Sequence, residues 1–119
     1  MDIENYSTQT YAYKQCTWWV YNRAKEFGIN YGLYMVNGKD WQNQSGYQVT
    51  STPQLHSAVS YKSGQDGADP TYGHVAFVEK IRPDGSILIS QSGTGYNTLF
   101  SYQVLSKEQA SRLRYVIGK

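Results

Sequence analysis

The strongest constraint on the fold of this sequence is a pair of apolar runs joined by a turn. The first run, residues 74–81, reads HVAFVEKI, and the second, residues 86–91, reads SILISQ. The segment Pro83-Asp84-Gly85 between them is typical of a tight turn, so the pattern predicts an antiparallel hairpin. Further strands are predicted at residues 55–61, 99–105 and 113–117. Together these segments indicate an antiparallel sheet in the second half of the chain.

An amphipathic helix is predicted ahead of this sheet. Side chains of like character recur at three- and four-residue spacing from Cys16 to Phe27, and Gly28 follows as a stop signal. Residues 30–53 are rich in loop-forming residues, with a short helix expected around residues 39–44. A helix followed by an antiparallel sheet predicts an α+β fold.

The length of 119 residues predicts one domain. We expect residues 13–119 to form it, behind an N-terminal arm of residues 1–12. A domain of this size buries roughly two thirds of the surface of its unfolded chain, so it needs no disulfide or metal to fold. Cys16 is the only cysteine, which excludes a disulfide within the chain, and we expect no cofactor.

Charge and hydropathy argue against two classes of partner. The net charge is +2, and the 11 Lys and Arg residues are scattered rather than clustered, so no nucleic-acid partner is expected. No apolar run approaches the roughly 20 residues that span a bilayer, so no membrane span is expected. The sequence does not open on a signal peptide, so an export signal would lie outside this segment. We expect a monomer.

Cys16 lies at the predicted start of the helix. There the unpaired backbone N–H groups and the positive end of the helix dipole favour a thiolate, which is the nucleophilic form of cysteine. The same N–H groups could stabilise an oxyanion. The alternative interpretation is a small buried apolar residue without a chemical role. The position therefore makes Cys16 a candidate nucleophile.

His74 begins the first strand of the hairpin, directly after a glycine-containing loop, where catalytic side chains are commonly displayed. A Cys at a helix start and a His on a facing strand form the pair that activates a thiol. Gln91 closes the partner strand and could orient the imidazole by accepting a hydrogen bond. Alternatively, His74 only begins a surface strand and Gln91 is a polar strand end. His56 is a weaker candidate, and one Cys with two His at no recognised spacing predicts no metal site.

Four segments of the sequence together resemble a known family. They are QCTWWVYNRA at residues 15–24, GKDW at 38–41, YGHVAFVEKI at 72–81 and DGSILISQSG at 84–93. In this order they are similar to the CHAP domain, named for cysteine, histidine-dependent amidohydrolase/peptidase, over about residues 13–117. The resemblance implies a papain-like fold in which an N-terminal helix carrying Cys16 packs on an antiparallel sheet carrying His74.

The resemblance also implies catalytic roles for Cys16 and His74, with one departure at the third position. Many family members place a glutamate about 17 residues after the histidine and an asparagine two residues further on, whereas this chain has Gln91 and Gly93. An amide lacks the charge that supports an imidazolium, so the change is expected to lower activity. Some members bind calcium through aspartates ahead of the cysteine, but residues 7–15 contain no acid, and no metal is expected.

Family members mostly hydrolyse peptidoglycan, as N-acetylmuramoyl-L-alanine amidases or as endopeptidases of the stem peptide or cross-bridge. The resemblance thus implies a Cys-His amide hydrolase whose partners are stem peptides. Its location would be extracellular or at the cell wall, as a secreted, conjugation or phage protein. We expect Trp18, Tyr72 and Tyr96 to line the substrate groove, although each could pack in the core. The alternatives are a catalytically weak or inert module that binds wall peptides, and an amidase with a substrate outside the wall.

Overall fold

The computed structural model describes residues 1–119 and contains two α-helices and a six-stranded sheet. The helices are α1 (Cys16–Lys25) and α2 (Lys107–Ser111). The strands are β1 (Gln48–Thr50), β2 (Ala58–Tyr61), β3 (His74–Ile81), β4 (Ile87–Gln91), β5 (Ser101–Leu105) and β6 (Arg114–Ile117). Short 3₁₀ turns lie at Ile3–Asn5, Gly38–Asn43 and Gln65–Gly67. Neither helix combines the length and the apolar character that crossing a membrane requires.

The helix α1 is buried on most of its surface, because seven of its ten residues are inaccessible to solvent. It ends two residues before Phe27, where the sequence pattern predicts its end, and Gly28 follows in the left-handed conformation with φ of 73°. A glycine adopts this conformation without strain, which explains why the chain turns away from the helix here.

The first twelve residues pack against α1. The ring of Tyr6 lies edge-on to Trp18, with 5.7 Å between ring centroids, and the backbone N–H of Ser7 donates to Asn22 Oδ1 at 2.8 Å. Tyr11 is buried in the same cluster of apolar side chains. The segment expected as an arm therefore covers one side of the helix.

All neighbouring strands of the sheet are antiparallel, in the order β1-β6-β2-β3-β4-β5. The predicted hairpin is β3 and β4, and the backbone N–H of Arg82 donates to the carbonyl of Ser86 at 2.9 Å across its turn. Gly85 in that turn has φ of 88°, a conformation that favours glycine. The turn chemistry of the sequence thus predicts the hairpin correctly.

Two apolar clusters lie on the two faces of this sheet. Successive residues of a strand project to opposite faces. Val75 and Phe77 accordingly join the cluster that contains α1, whereas Ala76 and Val78 join the cluster that contains Ala110 of α2. The sheet is therefore covered on both sides, by α1 on one face and by α2 and the chain around it on the other.

Two short elements lie where the sequence pattern predicted none. The strand β1 has only three residues, with Val49 as its one apolar side chain, and it pairs only with β6, so it is too short to show a clear alternation. The helix α2 begins with a capping box, in which the N–H of Gln109 donates to Ser106 Oγ at 3.1 Å and the N–H of Ser106 donates to Gln109 Oε1 at 2.9 Å. This Ser-x-x-Gln spacing is a helix start signal in the sequence.

An ion pair fastens α1 to β3. The guanidinium of Arg23 donates from Nε and Nη2 to the two carboxylate oxygens of Glu79, each at 2.9 Å. Ser90 Oγ donates to Glu79 Oε2 at 2.6 Å, and Trp19 Nε1 donates to Ser90 Oγ at 2.9 Å. The pairing register between β3 and β4 shifts at this position, which leaves Glu79 without an opposite residue. We call these four side chains the Arg23–Glu79 network.

Candidate active site

A cleft of about 720 Å³ opens where the start of α1 meets β3, β4 and β5. Cys16, His74 and Gln91 all line it, so the structure brings together the three residues that the sequence placed on separate elements. The loop segments 66–73 and 93–96 complete the walls. Asp66 and Asp69 also line the cleft, and Arg112 Nη2 lies 3.7 Å from Asp66 Oδ1.

The backbone just before Cys16 is held by the loop after β4. Lys14 adopts φ of 70°, an uncommon conformation for a residue other than glycine. Its carbonyl accepts a hydrogen bond from Ser92 Oγ at 3.1 Å, and its Nζ donates to the carbonyl of Tyr96 at 2.7 Å. These contacts fix the entry into α1, and Cys16 follows as the first residue of the helix.

Burial and the helix start act in opposite directions on the Cys16 thiol. Burial raises the pKa of Cys16, and the backbone N–H groups of Val75 and Thr17 oppose the increase. The carboxylate of Asp69 raises this pKa further. The net direction is upward, because the cost of burying the charge outweighs the favourable effect of the backbone N–H groups at the helix start.

Two glycines allow the close packing that places His74. A Cβ on Gly38 would lie 2.4 Å from the carbonyl carbon of His74, and a Cβ on Gly73 would lie 2.4 Å from the carbonyl oxygen of Tyr61. Gly73 also has φ of 66°. Because neither position has room for a side chain, the loop that carries Gly38 can lie directly against the first residue of β3.

A chain of hydrogen bonds leads from the imidazole of His74 across the sheet. His74 Nε2 lies 2.8 Å from Gln91 Oε1, and Gln91 Nε2 donates to Gln103 Oε1 at 3.0 Å. A carbonyl oxygen accepts and cannot donate, so Nε2 carries the ring proton and Nδ1 keeps a free lone pair in the neutral ring. The amide oxygen of Gln91 therefore keeps the ring proton on Nε2, as a carboxylate oxygen would, but it adds no charge.

Burial lowers the pKa of His74, and the hydrogen bond to Gln91 opposes the decrease. Together with the raised pKa of Cys16, this shift favours a neutral thiol and a neutral imidazole in the same cleft. Such a pair can act by passing the thiol proton to His74 as the sulfur attacks a carbonyl group.

Of the three aromatic residues expected in the groove, two line the cleft. Tyr72 is largely exposed there, and the ring of Tyr96 lies edge-on to His74, with 6.4 Å between ring centroids. Trp18 is 1% exposed and packs between Tyr6, Tyr13 and Trp19, so the structure places it in the core and corrects the expectation that it lines the groove. The physical reason is the position of Trp18 in the first turn of a helix that is covered on both sides.

His56 lies elsewhere and has a packing role. Its ring stacks on Phe27, with 3.8 Å between ring centroids, and it does not line the cleft. No group of three or more His, Cys, Asp or Glu side chains is arranged to hold a metal ion.

No local sequence pattern predicts two residues of the site, Gln103 and Asp69. Gln103 contacts Gln91 only through the register of β4 and β5, in which Gln91 pairs with Ser101 and Gln103 lies two residues further along the same face. Asp69 reaches the cleft through a loop whose path no local pattern specifies. Its carboxylate accepts hydrogen bonds from the backbone N–H groups of Thr71 and Tyr72, each at 2.8 Å, and they lower the pKa of Asp69.

Comparison with known families and proteins identifies what the chain is similar to. The family model of the CHAP domain matches residues 6–93. An N-acetylmuramoyl-L-alanine amidase domain-containing protein of Staphylococcus aureus is 44% identical over 112 residues, covering 92% of this chain and 18% of that protein. The N-acetylmuramoyl-L-alanine amidase sle1 of Staphylococcus epidermidis is 38% identical over 104 residues, covering 79% of this chain and 30% of that protein. The chain thus spans less than a third of the length of these relatives.

The fold of the chain is also similar to those of solved structures. A crystal structure of an N-acetylmuramoyl-L-alanine amidase from Staphylococcus aureus has a TM-score of 0.89 and 43% identity, covering 94% of this chain and 32% of that one. The crystal structure of Ly7917 has a TM-score of 0.57 at 18% identity, covering 88% of this chain and 53% of that one, a likeness of fold alone. The α+β, papain-like fold that the sequence predicts is confirmed.

Proposed function

The chain belongs to the CHAP domain family, and we propose that it hydrolyses an amide bond of bacterial peptidoglycan with Cys16 as nucleophile and His74 as general base. The relatives described above are named N-acetylmuramoyl-L-alanine amidases, which supports peptidoglycan as the substrate class. Because this substrate surrounds the bacterial cell, we propose an extracellular or wall-associated site of action.

The observation that carries the proposal is the hydrogen bond between His74 Nε2 and Gln91 Oε1 in the cleft that Cys16 also lines. This bond leaves Nδ1 as the basic nitrogen of the imidazole. A base with a fixed tautomer in the same cleft as a thiol at a helix start is consistent with what thiol hydrolases need.

In the acylation step, the thiol proton of Cys16 moves to His74 Nδ1 as the sulfur bonds to the amide carbonyl carbon. The carbonyl oxygen becomes an oxyanion, and the unpaired backbone N–H groups at the start of α1 stabilise it. The imidazolium of His74 then gives its proton to the amide nitrogen, the C–N bond breaks, and the amine product leaves a thioester on Cys16.

In the deacylation step, water attacks the thioester carbonyl while His74 Nδ1 accepts a proton from that water. The C–S bond breaks, the acid product is released, and the sulfur of Cys16 recovers its proton from His74. Gln91 remains hydrogen-bonded to Nε2 throughout both steps and stabilises the imidazolium only through its dipole. This is the physical reason to expect slower turnover than a carboxylate at the same position would support.

The names of the relatives favour one bond among those that the family cleaves. An N-acetylmuramoyl-L-alanine amidase separates the lactyl group of the sugar from the first alanine of the stem peptide. We therefore propose this bond as the site of cleavage, with an endopeptidase cut in the stem or cross-bridge as the competing outcome. Labelling of new amino termini distinguishes the two, because the amidase releases an amino-terminal alanine and an endopeptidase does not.

The test compares wild type with Cys16→Ser, His74→Ala and the control His56→Ala on purified staphylococcal walls. We expect Cys16→Ser to abolish release of new amino termini and His74→Ala to slow it at least about a hundredfold, as for the loss of a general base. His56→Ala should retain activity, because His56 stacks on Phe27 outside the cleft. Undiminished hydrolysis by Cys16→Ser would overturn the proposal. If the wild-type protein binds walls without cutting them, the chain is the inert wall-binding module instead.

A further inference from the structure

We propose that Gln103 is a positioning residue that holds the amide of Gln91 with its oxygen toward His74 and thereby selects the basic nitrogen of the imidazole. The proposal rests on the proposed function for its effect on catalysis, but the tautomer of His74 can be measured whether or not the chain is an enzyme. Gln103 contacts Gln91 through its side chain, so the proposed influence on His74 acts through Gln91.

The need for such a residue follows from the chemistry of a glutamine at residue 91. A carboxylate presents only acceptors to an imidazole, so its orientation does not matter. An amide has an accepting oxygen at one end and a donating NH₂ group at the other, in nearly the same shape. If the NH₂ group faced His74, Nε2 would have to accept and Nδ1 would carry the proton. A neutral ring in that form could not take a proton from Cys16 through Nδ1.

The structure supplies an acceptor on the correct side of this amide. Gln103 Oε1 accepts from Gln91 Nε2 at 3.0 Å, which leaves Gln91 Oε1 to accept from His74 Nε2 at 2.8 Å. Gln91 is 7% exposed, so an unpaired NH₂ group there would lack full access to water and would cost free energy. The contact with Gln103 therefore favours one of the two amide orientations.

Gln103 is itself an amide, so the decisive variants are those that can only accept or only donate. Gln103→Glu presents acceptors alone and keeps Gln91 in its present orientation. Gln103→Lys presents donors alone and favours the flipped amide, with the oxygen of Gln91 toward the ammonium. Val104→Lys is the matched control, because it adds the same charge to β5 at an exposed residue that projects to the opposite face.

The primary measurement is the ¹⁵N NMR spectrum of the imidazole of His74 at neutral pH, assigned with the help of His56→Ala. We expect protonated Nε2 in wild type, Gln103→Glu and Val104→Lys, and a shift toward protonated Nδ1 in Gln103→Lys. On wall substrate, kcat of Gln103→Lys should fall about tenfold, the worth of one hydrogen bond, with a smaller change in KM. Gln103→Glu should keep wild-type activity or exceed it.

Two results would overturn the inference. One is an unchanged His74 tautomer in Gln103→Lys. The other is an equal loss of kcat in Gln103→Glu and Gln103→Lys, which would mean that Gln103 only shapes the cleft. Failure of the proposed function is separate, since it would remove activity from wild type and leave the tautomer shift intact. Circular dichroism of each variant checks that substitution of the exposed residue Gln103 leaves the fold unchanged.

Discussion

Ser90 and Gln91 are neighbours on β4, yet they belong to two hydrogen-bonded networks of opposite character. Ser90 projects toward α1 and joins the Arg23–Glu79 network, in which a guanidinium and a carboxylate are paired at 2.9 Å with side chains 12% and 11% exposed. Gln91 projects to the other face and links His74 to Gln103 through groups that are all uncharged in the resting state. One network is ionic and the other is neutral.

The difference follows from what each network has to hold. The Arg23–Glu79 network joins a helix to a sheet in one arrangement, and a bidentate ion pair provides a rigid, directional connection for that purpose. His74 must instead gain and lose a proton, and a permanent charge beside it would bias that equilibrium. A neutral amide fixes the direction of the ring and leaves the pKa of His74 to be lowered by burial. In this chain the charged pair therefore joins the helix to the sheet, and the group that is hydrogen-bonded to the imidazole is neutral.

Removing the carboxylate from the ionic network should have the largest effect. In Glu79→Ala the nearly buried guanidinium of Arg23 keeps only one carboxylate partner, Glu26 at 2.9 Å. We expect a loss of about 3 kcal/mol in the free energy of unfolding. The control is Glu108→Ala, whose carboxylate is 87% exposed and lies 3.7 Å from Arg112. That exposed pair should contribute less than about 1 kcal/mol. Urea unfolding measures both, and equal losses would contradict the contrast drawn here.

Adding a charge to the neutral network should move the pH dependence of activity. His74 must be neutral to accept the thiol proton, and burial lowers its pKa from the usual value of about 6.5. Wild-type kcat/KM should therefore stay near its maximum below about pH 6.5 and fall only at the lower pH at which His74 becomes protonated. In Gln91→Glu the new carboxylate stabilises the imidazolium and raises the pKa of His74, so the acid limb moves to higher pH.

The matched control for this change is Gln48→Glu. It adds the same charge to β1, at the sheet edge opposite to β5, and should leave the acid limb in place. Profiles of kcat/KM from about pH 4 to 9 provide the comparison. An acid limb that does not move in Gln91→Glu would show that residue 91 does not act on the ring of His74 during catalysis.

The smallest effect is expected from Asp69, whose carboxylate lines the cleft. Asp69→Asn removes a charge that raises the pKa of Cys16, while the amide oxygen can still accept from Thr71 and Tyr72. Alkylation of Cys16 by iodoacetamide should then begin at slightly lower pH, and the difference should shrink in high salt because the carboxylate is exposed.

Asp84→Asn is the control for this measurement. Asp84 Oδ1 accepts from the backbone N–H of Ser86 at 2.9 Å in the turn between β3 and β4, which repeats the local geometry of Asp69 outside the cleft. Its alkylation profile should match wild type. Identical profiles for both variants at low salt would mean that Asp69 does not influence the thiol.

Local patterns along the chain predicted the elements that carry the site. The apolar run of residues 74–81, the turn chemistry that follows it and the glycine stop at Gly28 specify a hairpin and a helix without reference to the rest of the molecule. These features place Cys16 at a helix start and His74 at a strand start. The capping box that begins α2 is equally local, because it joins Ser106 and Gln109 three residues apart.

Three features depended on packing and could not be obtained from the sequence. The contact between Gln91 and Gln103 requires the register of β4 with β5, the burial of Trp18 requires the segment that covers α1, and the raised pKa of Cys16 requires its depth in the cleft. Turn and helix signals act between residues a few positions apart, so a sequence displays them directly. Register, burial and desolvation arise only when distant segments meet, and the chemistry of this cleft depends on all three.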